Sequence, residues 1–164
     1  MPQHKAPREP DRVAVINLTR GTILADAAEY ARGPWRRCVG LLGRAALPIG
    51  EGLIFAPCMG LHTIGMRFPI DLIYLRREEP GSRGGVVARL RANLQPCRVA
   101  LAVADLVLEL PAGTSAWSAT AIGDEIAWWP TVHGRAQHGV GDPRCNALAR
   151  RIPLSAAATW PGGR

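Results

Sequence analysis

Short β-prone segments separated by turn residues recur along the first 129 residues, and this spacing limits the fold more than any other feature of the sequence. The clearest segment is RFPIDLIYLRR (67–77), which is apolar through its middle except at Asp71. The other segments are VAVINL (13–18), TILA (22–25), GEGLIFAPC (50–58), VVARLRA (86–92), ADLVLELPAG (104–113) and GDEIAWW (123–129). Many short strands joined by glycine and proline turns are typical of small all-β domains. We therefore expect a mainly β fold, a small antiparallel barrel or sandwich.

Turn residues also predict how some of these segments connect. Thr19-Arg20-Gly21 lies between the first two segments and predicts a hairpin in which Gly21 takes a positive φ. The glycine-rich stretch 78–85 predicts a turn, so a meander is the simplest connection between the strands on either side of it. One short helix is predicted within 26–44, with Pro34 in its first turn and Gly43 near its end.

The chain has 164 residues, which fits one domain with some residues to spare. We place that domain at 13–129, after a polar leader (1–12) and before a tail (130–164) whose small, polar and basic residues predict disorder. The formal charge of +7 lies mostly outside the domain, which holds twelve arginines against ten acidic residues. The domain contains no basic helix and no alternating aromatic and basic run, so we expect no nucleic-acid partner.

Export and membrane signals are absent from the sequence. The leader lacks the apolar stretch of roughly 7–15 residues that a signal peptide needs, and no run of about 18 apolar residues occurs elsewhere. We therefore expect no membrane span and, by default, a cytoplasmic protein. Four cysteines, Cys38, Cys58, Cys97 and Cys145, form no CxxC pair, which fits reduced thiols, with a disulfide as the alternative.

Potential metal ligands are concentrated in CMGLHTIGM (58–66), where Cys58, His62 and Met66 lie four residues apart. Thiol, imidazole and thioether groups bind soft metals, and Cys97 could supply a fourth ligand. A preceding proline and two glycines argue against a helix here, so we interpret the stretch as a loop in which these side chains need not share a face. Zinc sites usually have closely paired ligands, which this chain lacks. A metal site is thus a minor hypothesis, and we expect no cofactor.

Asp71 is the one charged residue in a strand that otherwise looks buried, with Ile73 and Leu75 predicted on its face. A carboxylate removed from water is costly unless a cation or several donors meet it. Its candidate partners are Arg67, His62 and Arg98. The alternative is that Asp71 accepts backbone N–H groups of the loop before its own strand, because buried polar groups are usually hydrogen-bonded.

Two functional hypotheses follow from this concentration of polar residues. The first is a non-catalytic accessory or binding domain with a pocket at one end of the barrel, which takes a small polar or anionic ligand or a protein segment. Its lining would be Cys58, His62, Thr63, Met66, Asp71 and Arg98. The alternative is an enzyme in which His62 and Asp71 form an acid–base pair and Cys58 is the candidate nucleophile. A Ser/His/Asp triad has little support, since no serine lies in a GxSxG setting.

Several blocks of the chain, in their order, resemble the family named domain of unknown function 192. They are GLLGRAALPIGEGLIFAPC, HTIGMRFPIDLIYL, VVARL, PCR, LVLELPAG and IGDEI, and the resemblance covers 13–129. It implies a small, mostly β fold of barrel or sandwich type and no particular activity. The family positions carried over are Gly40, Leu41, Arg44, Cys58, His62, Met66, Asp71, Arg98 and Glu109. Cys97 stands where similar sequences are expected to have tryptophan or glycine, which weakens its place in a shared metal site.

Overall fold

The computed structural model describes residues 12–33, 39–79, 82–132 and 135–136. Within these ranges it contains ten strands and one short helix. They are β1 (Arg12–Asn17), β2 (Thr22–Tyr30), β3 (Glu51–Phe55), β4 (Cys58–His62), β5 (Ile70–Arg76), β6 (Gly84–Leu94), β7 (Val99–Ala104), β8 (Leu106–Pro111), α1 (Thr114–Trp117), β9 (Glu125–Val132) and β10 (Arg135–Ala136). Much of the predicted helix within 26–44, nearly all of the leader and most of the tail lie outside the described residues. No helix in the described ranges is both long and apolar enough to cross a membrane.

Seven of these strands close into a barrel. Their order is β1-β2-β3-β8-β5-β6-β9, and β9 pairs back with β1 to complete the ring. Every neighbouring pair is antiparallel except β2 and β3, which are parallel. Parallel neighbours need a crossover connection, and residues 31–50 provide it. The expectation of a mainly β barrel or sandwich is confirmed, and the barrel is the form adopted.

Local turn signals predicted the hairpins correctly. Gly21 has a φ of +67° and its N–H donates to the Asn17 carbonyl at 2.8 Å, which closes the β1–β2 turn. β5 and β6 pair antiparallel across the predicted turn, as a meander requires. The segment TILA was predicted too short, since β2 continues to Tyr30.

The remaining two strands, β4 and β7, form a separate antiparallel pair that we call the ribbon. Its inner face, which includes Leu61 and Ala100, packs in one apolar cluster with Leu72 and Tyr74 of the barrel wall. The interpretation of 58–62 as a loop was therefore wrong, and β7 was not predicted at all. The reason is that β4 is held extended by pairing with a strand that follows it by about forty residues, which no local pattern shows.

Apolar side chains fill both faces of the central strands. Residues of the barrel interior include Val15, Leu24, Ile73, Leu75, Leu108 and Trp128. Alternate residues of the same strands, among them Leu53, Phe55, Leu72, Tyr74 and Val107, form a second layer covered by the ribbon and by Leu41, Leu47 and Met66. The nearly continuous apolar run of β5 follows from this two-sided burial, because neither face of the strand meets water. Each fully buried leucine or isoleucine contributes roughly 1.5–3 kcal/mol.

One end of the barrel is covered by the segment 112–124, which contains α1, and a buried carboxylate holds part of that segment in place. Asp124 is 3% exposed and accepts Asn17 Nδ2–H at 2.9 Å, Arg20 Nε–H at 3.0 Å and the Ala121 N–H at 2.9 Å. Burial raises the pKa of Asp124, but the hydrogen bonds from Arg20, Asn17 and Ala121 outweigh it and hold this pKa below its ordinary value. The charge therefore ties the β1–β2 hairpin to the segment before β9.

Asp124→Asn should lower the free energy of unfolding at neutral pH by about 1–3 kcal/mol, because it replaces a charged acceptor and leaves its donors poorly matched. The lowered pKa means that the contribution of Asp124 is present above its unfolded-state pKa and is lost as the pH falls through the folded-state value. The difference between the two proteins, measured by urea denaturation, should therefore shrink once the pH falls below about 3.9.

Asp105→Asn is the matched control, since Asp105 is exposed and accepts one backbone N–H, that of Arg77, at 2.8 Å. Its effect should stay within about 0.5 kcal/mol. Equal losses in the two variants, or a difference for Asp124→Asn that persists in acid, would contradict the assigned role.

Candidate functional site

Asp71 is fully buried at the start of β5, beneath the segment 112–124. Its Oδ1 accepts the backbone N–H groups of Asn93 at 2.8 Å and of Gly113 at 3.2 Å. Its Oδ2 accepts both the N–H of Ser115 at 2.8 Å and its hydroxyl at 2.6 Å. Four donors thus compensate the carboxylate for the water it loses on burial. Asp71 joins β6 and the β8–α1 turn to its own strand.

None of the predicted partners of Asp71 is among these donors. In the described ranges, Arg67, His62 and Arg98 make no hydrogen bond or ion pair with it. Backbone donation was the stated alternative, and backbone groups do supply three of the four bonds. They come from Asn93 and the turn after β8, however, and not from the loop that precedes β5.

His62 lies at the end of β4, opposite Val99 across the ribbon, and is exposed. Asp71 is sealed inside the barrel end, so the two side chains do not form the hydrogen-bonded pair that an acid–base mechanism needs. Cys58 begins the same strand, at the register position opposite Ala104. Of the predicted catalytic set, the His62–Asp71 pair is therefore not formed in the described part of the chain.

Thr63 has a structural role that the sequence did not reveal. It is fully buried, and its hydroxyl donates to the Gln95 carbonyl at 2.8 Å and accepts the Arg98 N–H at 3.0 Å. Its own N–H donates to the Arg98 carbonyl at 2.8 Å, and its carbonyl accepts the Cys97 N–H at 2.9 Å. Thr63 therefore holds the turn between β6 and β7 in place, and its one hydroxyl proton is already donated within the protein.

Two of the potential metal ligands, Met66 and Cys97, lie in different environments. Met66 is 7% exposed and packs in the layer between the barrel and the ribbon, whereas Cys97 is exposed with a free thiol. Across the described ranges, no three His, Cys, Asp or Glu side chains are grouped so that they could hold a metal ion. Of the predicted pocket residues, Thr63 contacts the Arg98 backbone, Asp71 is buried like Met66, and His62 is exposed.

The outer face of the ribbon carries an apolar surface that sequence reasoning missed. Val99, Leu101 and Val103 are 58%, 70% and 88% exposed, and we call these three residues the ribbon stripe. Leu101 lies opposite Gly60, where a Cβ would come within 3.0 Å of Leu101 Cδ2, so the glycine leaves room for the leucine. The available signal was the alternation of large residues with alanines in VALAVA (99–104), which indicates one packed and one open face.

Glu109 is a second residue whose environment sequence did not reveal. It is 3% exposed on the outer face of β8, between Leu53 and Leu72 on the neighbouring strands, and its Oε2 has no hydrogen-bond partner. Burial raises the pKa of Glu109 to about 8, and the nearby charge of Arg44 opposes this only in part. The carboxyl group is therefore predominantly neutral at pH 7.

The Arg44 guanidinium forms ion pairs with two other acidic residues. Its Nη1 lies 3.1 Å from Glu51 Oε2, and its Nη2 lies 3.9 Å from Glu29 Oε2. The two carboxylates compete with Glu109 for the one guanidinium, which explains why the buried acid is left without a full countercharge. Arg44 and Glu109, both carried over through the family resemblance, are thus close enough for the Arg44 charge to lower the Glu109 pKa.

Asp71→Asn should lower the free energy of unfolding by about 1–3 kcal/mol, because an amide accepts more weakly and turns its NH₂ toward groups that are themselves donors. Ser115→Ala removes one of the four donors. A double-mutant cycle measured by urea denaturation should give a coupling of about 0.5–3 kcal/mol between the two positions. An unchanged thermal midpoint for Asp71→Asn, or additive effects in the cycle, would show that the carboxylate does not fasten this end of the barrel.

Glu109 should make the protein less stable as the pH rises. Its pKa is raised in the folded state, from 4.5 to about 8, so its contribution to stability is complete below 4.5 and is lost as the pH approaches 8. The total decrease in the free energy of unfolding over this pH interval is at most about 5 kcal/mol. Glu109→Gln keeps the side chain's shape without the ionisation, so its unfolding free energy should change much less over this interval. Glu79→Gln is the control, because Glu79 is exposed, and its unfolding free energy should depend on pH as that of the wild type does. The same pH dependence in the wild type and in Glu109→Gln would contradict the raised pKa assigned to Glu109.

Comparison with known proteins identifies the family and supports the fold. The family model of domain of unknown function 192, described as "Uncharacterized ACR", matches residues 15–128. No curated protein matches the sequence. A crystal structure of a protein of unknown function from Novosphingobium aromaticivorans is 27% identical, with a TM-score of 0.56, over 71% of this chain and 84% of its own. A Sinorhizobium meliloti protein, described as a "putative transcription regulator", shares the fold at 23% identity and a TM-score of 0.54, over 71% and 92% of the two chains.

The family match runs from within β1 to within β9, and so covers the whole closed ring of the barrel and well over half of the chain. No catalytic function is indicated by these comparisons. On the match and the shared fold together, this protein belongs to the family of domain of unknown function 192.

Proposed function

We propose that this domain is a non-catalytic binding module that docks another protein on the outer face of the ribbon. The observation that carries the proposal is the ribbon stripe, in which Val99, Leu101 and Val103 are 58%, 70% and 88% exposed on one short strand. Single exposed apolar residues are ordinary, but a contiguous apolar patch rimmed by polar residues is typical of an interaction site.

The ribbon supports such a surface because it is firmly attached to the barrel. Leu61 and Ala100 on its inner face are buried in the apolar layer over β5. Thr63 holds the turn that leads into β7 through hydrogen bonds to Gln95 and Arg98. A platform that is already ordered loses little conformational entropy when a partner binds.

Polar and cationic groups surround the stripe, as at the rim of a protein interface. His62 lies opposite Val99 across the ribbon, and Arg98 directly precedes Val99 in the chain. The side chains of His62 and Arg98 are both exposed. The Arg89 guanidinium lies 3.3 Å from the Leu101 carbonyl oxygen, at the other side of β7. This distribution favours a partner with acidic groups. His62 and Arg98, predicted from the sequence as pocket residues, thus remain candidates, but as rim residues.

The enzyme hypothesis receives no comparable support. Asp71 already accepts four hydrogen bonds inside the barrel end, and His62 is exposed on the ribbon without it. A cytoplasmic location stays part of the proposal, and the free, exposed thiol of Cys97 supports it, because such thiols persist in reducing compartments.

Replacing Leu101 with a photoreactive benzoylphenylalanine in the native cells should cross-link the partner, which mass spectrometry would identify. Binding of that purified partner should then weaken about tenfold in Leu101→Ser, because the variant removes a central apolar contact. The readout is the dissociation constant measured by calorimetry.

Ile122→Ser is the matched control, since Ile122 is 69% exposed and lies in the segment before β9, outside the ribbon. The dissociation constant of the partner from Ile122→Ser should equal that from the wild type. Failure to cross-link from position 101, or equal weakening in both serine variants, would count against docking on the ribbon.

A further inference from the structure

The outer edge of β7 has no strand partner among the described residues, because the ribbon contains β4 and β7 alone. The hydrogen bonds show which residues face that edge. Arg98 points its carbonyl toward Thr63 on the β4 side. Backbone groups alternate sides along an antiparallel strand, so those of Val99 and Leu101, one and three residues after Arg98, are both expected to face away from β4. The Leu101 carbonyl indeed faces away, since it accepts a hydrogen bond from Arg89 of β6.

An open strand edge is a template for another extended chain, and proteins commonly cover such edges with long cationic side chains. Arg89 fits that description. Its side chain is exposed, and its bond to the neutral Leu101 carbonyl is 3.3 Å long. A carboxylate would be a stronger acceptor for the guanidinium than a carbonyl, so an acidic group could draw Arg89 away from the edge.

The charges near this edge favour an acidic occupant. Arg89 and Arg91 lie two residues apart on β6, opposite Tyr74 and Leu72 of the barrel's outer layer, and so occupy the outer face beside β7. Asp105, which follows β7, already accepts the Arg77 N–H. A second copy of this chain would bring the same arginines together, and a lipid surface could not form a ladder of backbone hydrogen bonds.

We propose that the partner is an extended protein segment alternating apolar and acidic side chains, which adds as a strand to the outer edge of β7. Its apolar residues continue the ribbon stripe. Its acidic residues face β6. There, one carboxylate replaces the Leu101 carbonyl as the hydrogen-bond acceptor of Arg89, and another lies near Arg91. This inference rests on the proposed function and specifies the chemical class of the partner and its mode of binding.

The test uses the full chain and three terminally blocked hexapeptides, observed by amide NMR. The first alternates glutamate and valine, the second lysine and valine, and the third is the glutamate peptide with its edge-facing amides N-methylated. At about 1 mM, a concentration suited to weak strand pairing, the glutamate peptide should shift the amide signals of Val99 and Leu101 and the Nε–H of Arg89. The lysine peptide should bind about fivefold more weakly or not at all.

Charge reversal gives a second, independent readout. Arg89→Glu should invert the preference, so that the lysine peptide binds better than the glutamate peptide. Arg76→Glu, an exposed arginine on β5 changed in the same way, should keep the wild-type preference. A preference for glutamate that survives Arg89→Glu unchanged would overturn the role given to Arg89.

The remaining outcomes separate this inference from the proposed function. Equal binding of the N-methylated peptide would overturn strand addition while leaving docking on the stripe intact, and so would a partner cross-linked at position 101 when no peptide binds. Self-association in sedimentation that Leu101→Ser abolishes would replace the partner with a second copy. Binding to vesicles of anionic phosphatidylglycerol, with none of the peptides bound, would replace it with a membrane surface.

Discussion

The buried carboxylate of Asp71 is the interaction on which this barrel end depends. Its four donors come from two segments distant from it in the chain, Asn93 of β6 and the turn that holds Gly113 and Ser115. An unsatisfied buried donor costs about 1–3 kcal/mol, so the carboxylate stabilises one arrangement of β5, β6 and the α1 turn over others of similar compactness. Asp124, which follows α1 in the chain, has a similar function, because it joins the β1–β2 hairpin through Asn17 and Arg20.

Glu109 shows what happens when a buried carboxyl group lacks such donors. Asp71 and Asp124 lie at a barrel end rich in backbone N–H groups, whereas Glu109 lies in an apolar layer between Leu53 and Leu72. Burial therefore raises its pKa to about 8 and keeps it neutral under ordinary conditions. Glu109 thus differs in charge from Asp124 because of the donors around each carboxyl group, and not because of their sequence neighbours.

The sequence was informative wherever structure follows from local pattern. Alternation and turn residues identified most barrel strands, Gly21 marked the first hairpin, and the lone charge in PIDLIYL marked Asp71 as a buried group that needs partners. The failures were non-local. β4 looked like a loop because two glycines and a proline dominate its surroundings, and its strand conformation depends on pairing with β7. For the same reason, spacing alone could not show that Met66 packs inward while His62 is exposed.

By itself, the sequence determined a mainly β fold, its main turns, and its resemblance to a family without an assigned activity. Tertiary structure decided how the ring closes, which donors satisfy Asp71, and which side chains of the ribbon meet solvent. The physical reason is the separation along the chain over which each interaction acts. Hydrophobic period and turn chemistry act between neighbours, whereas a buried charge's partners, a strand's second edge and the exposure of Leu101 are set by segments that meet only after folding.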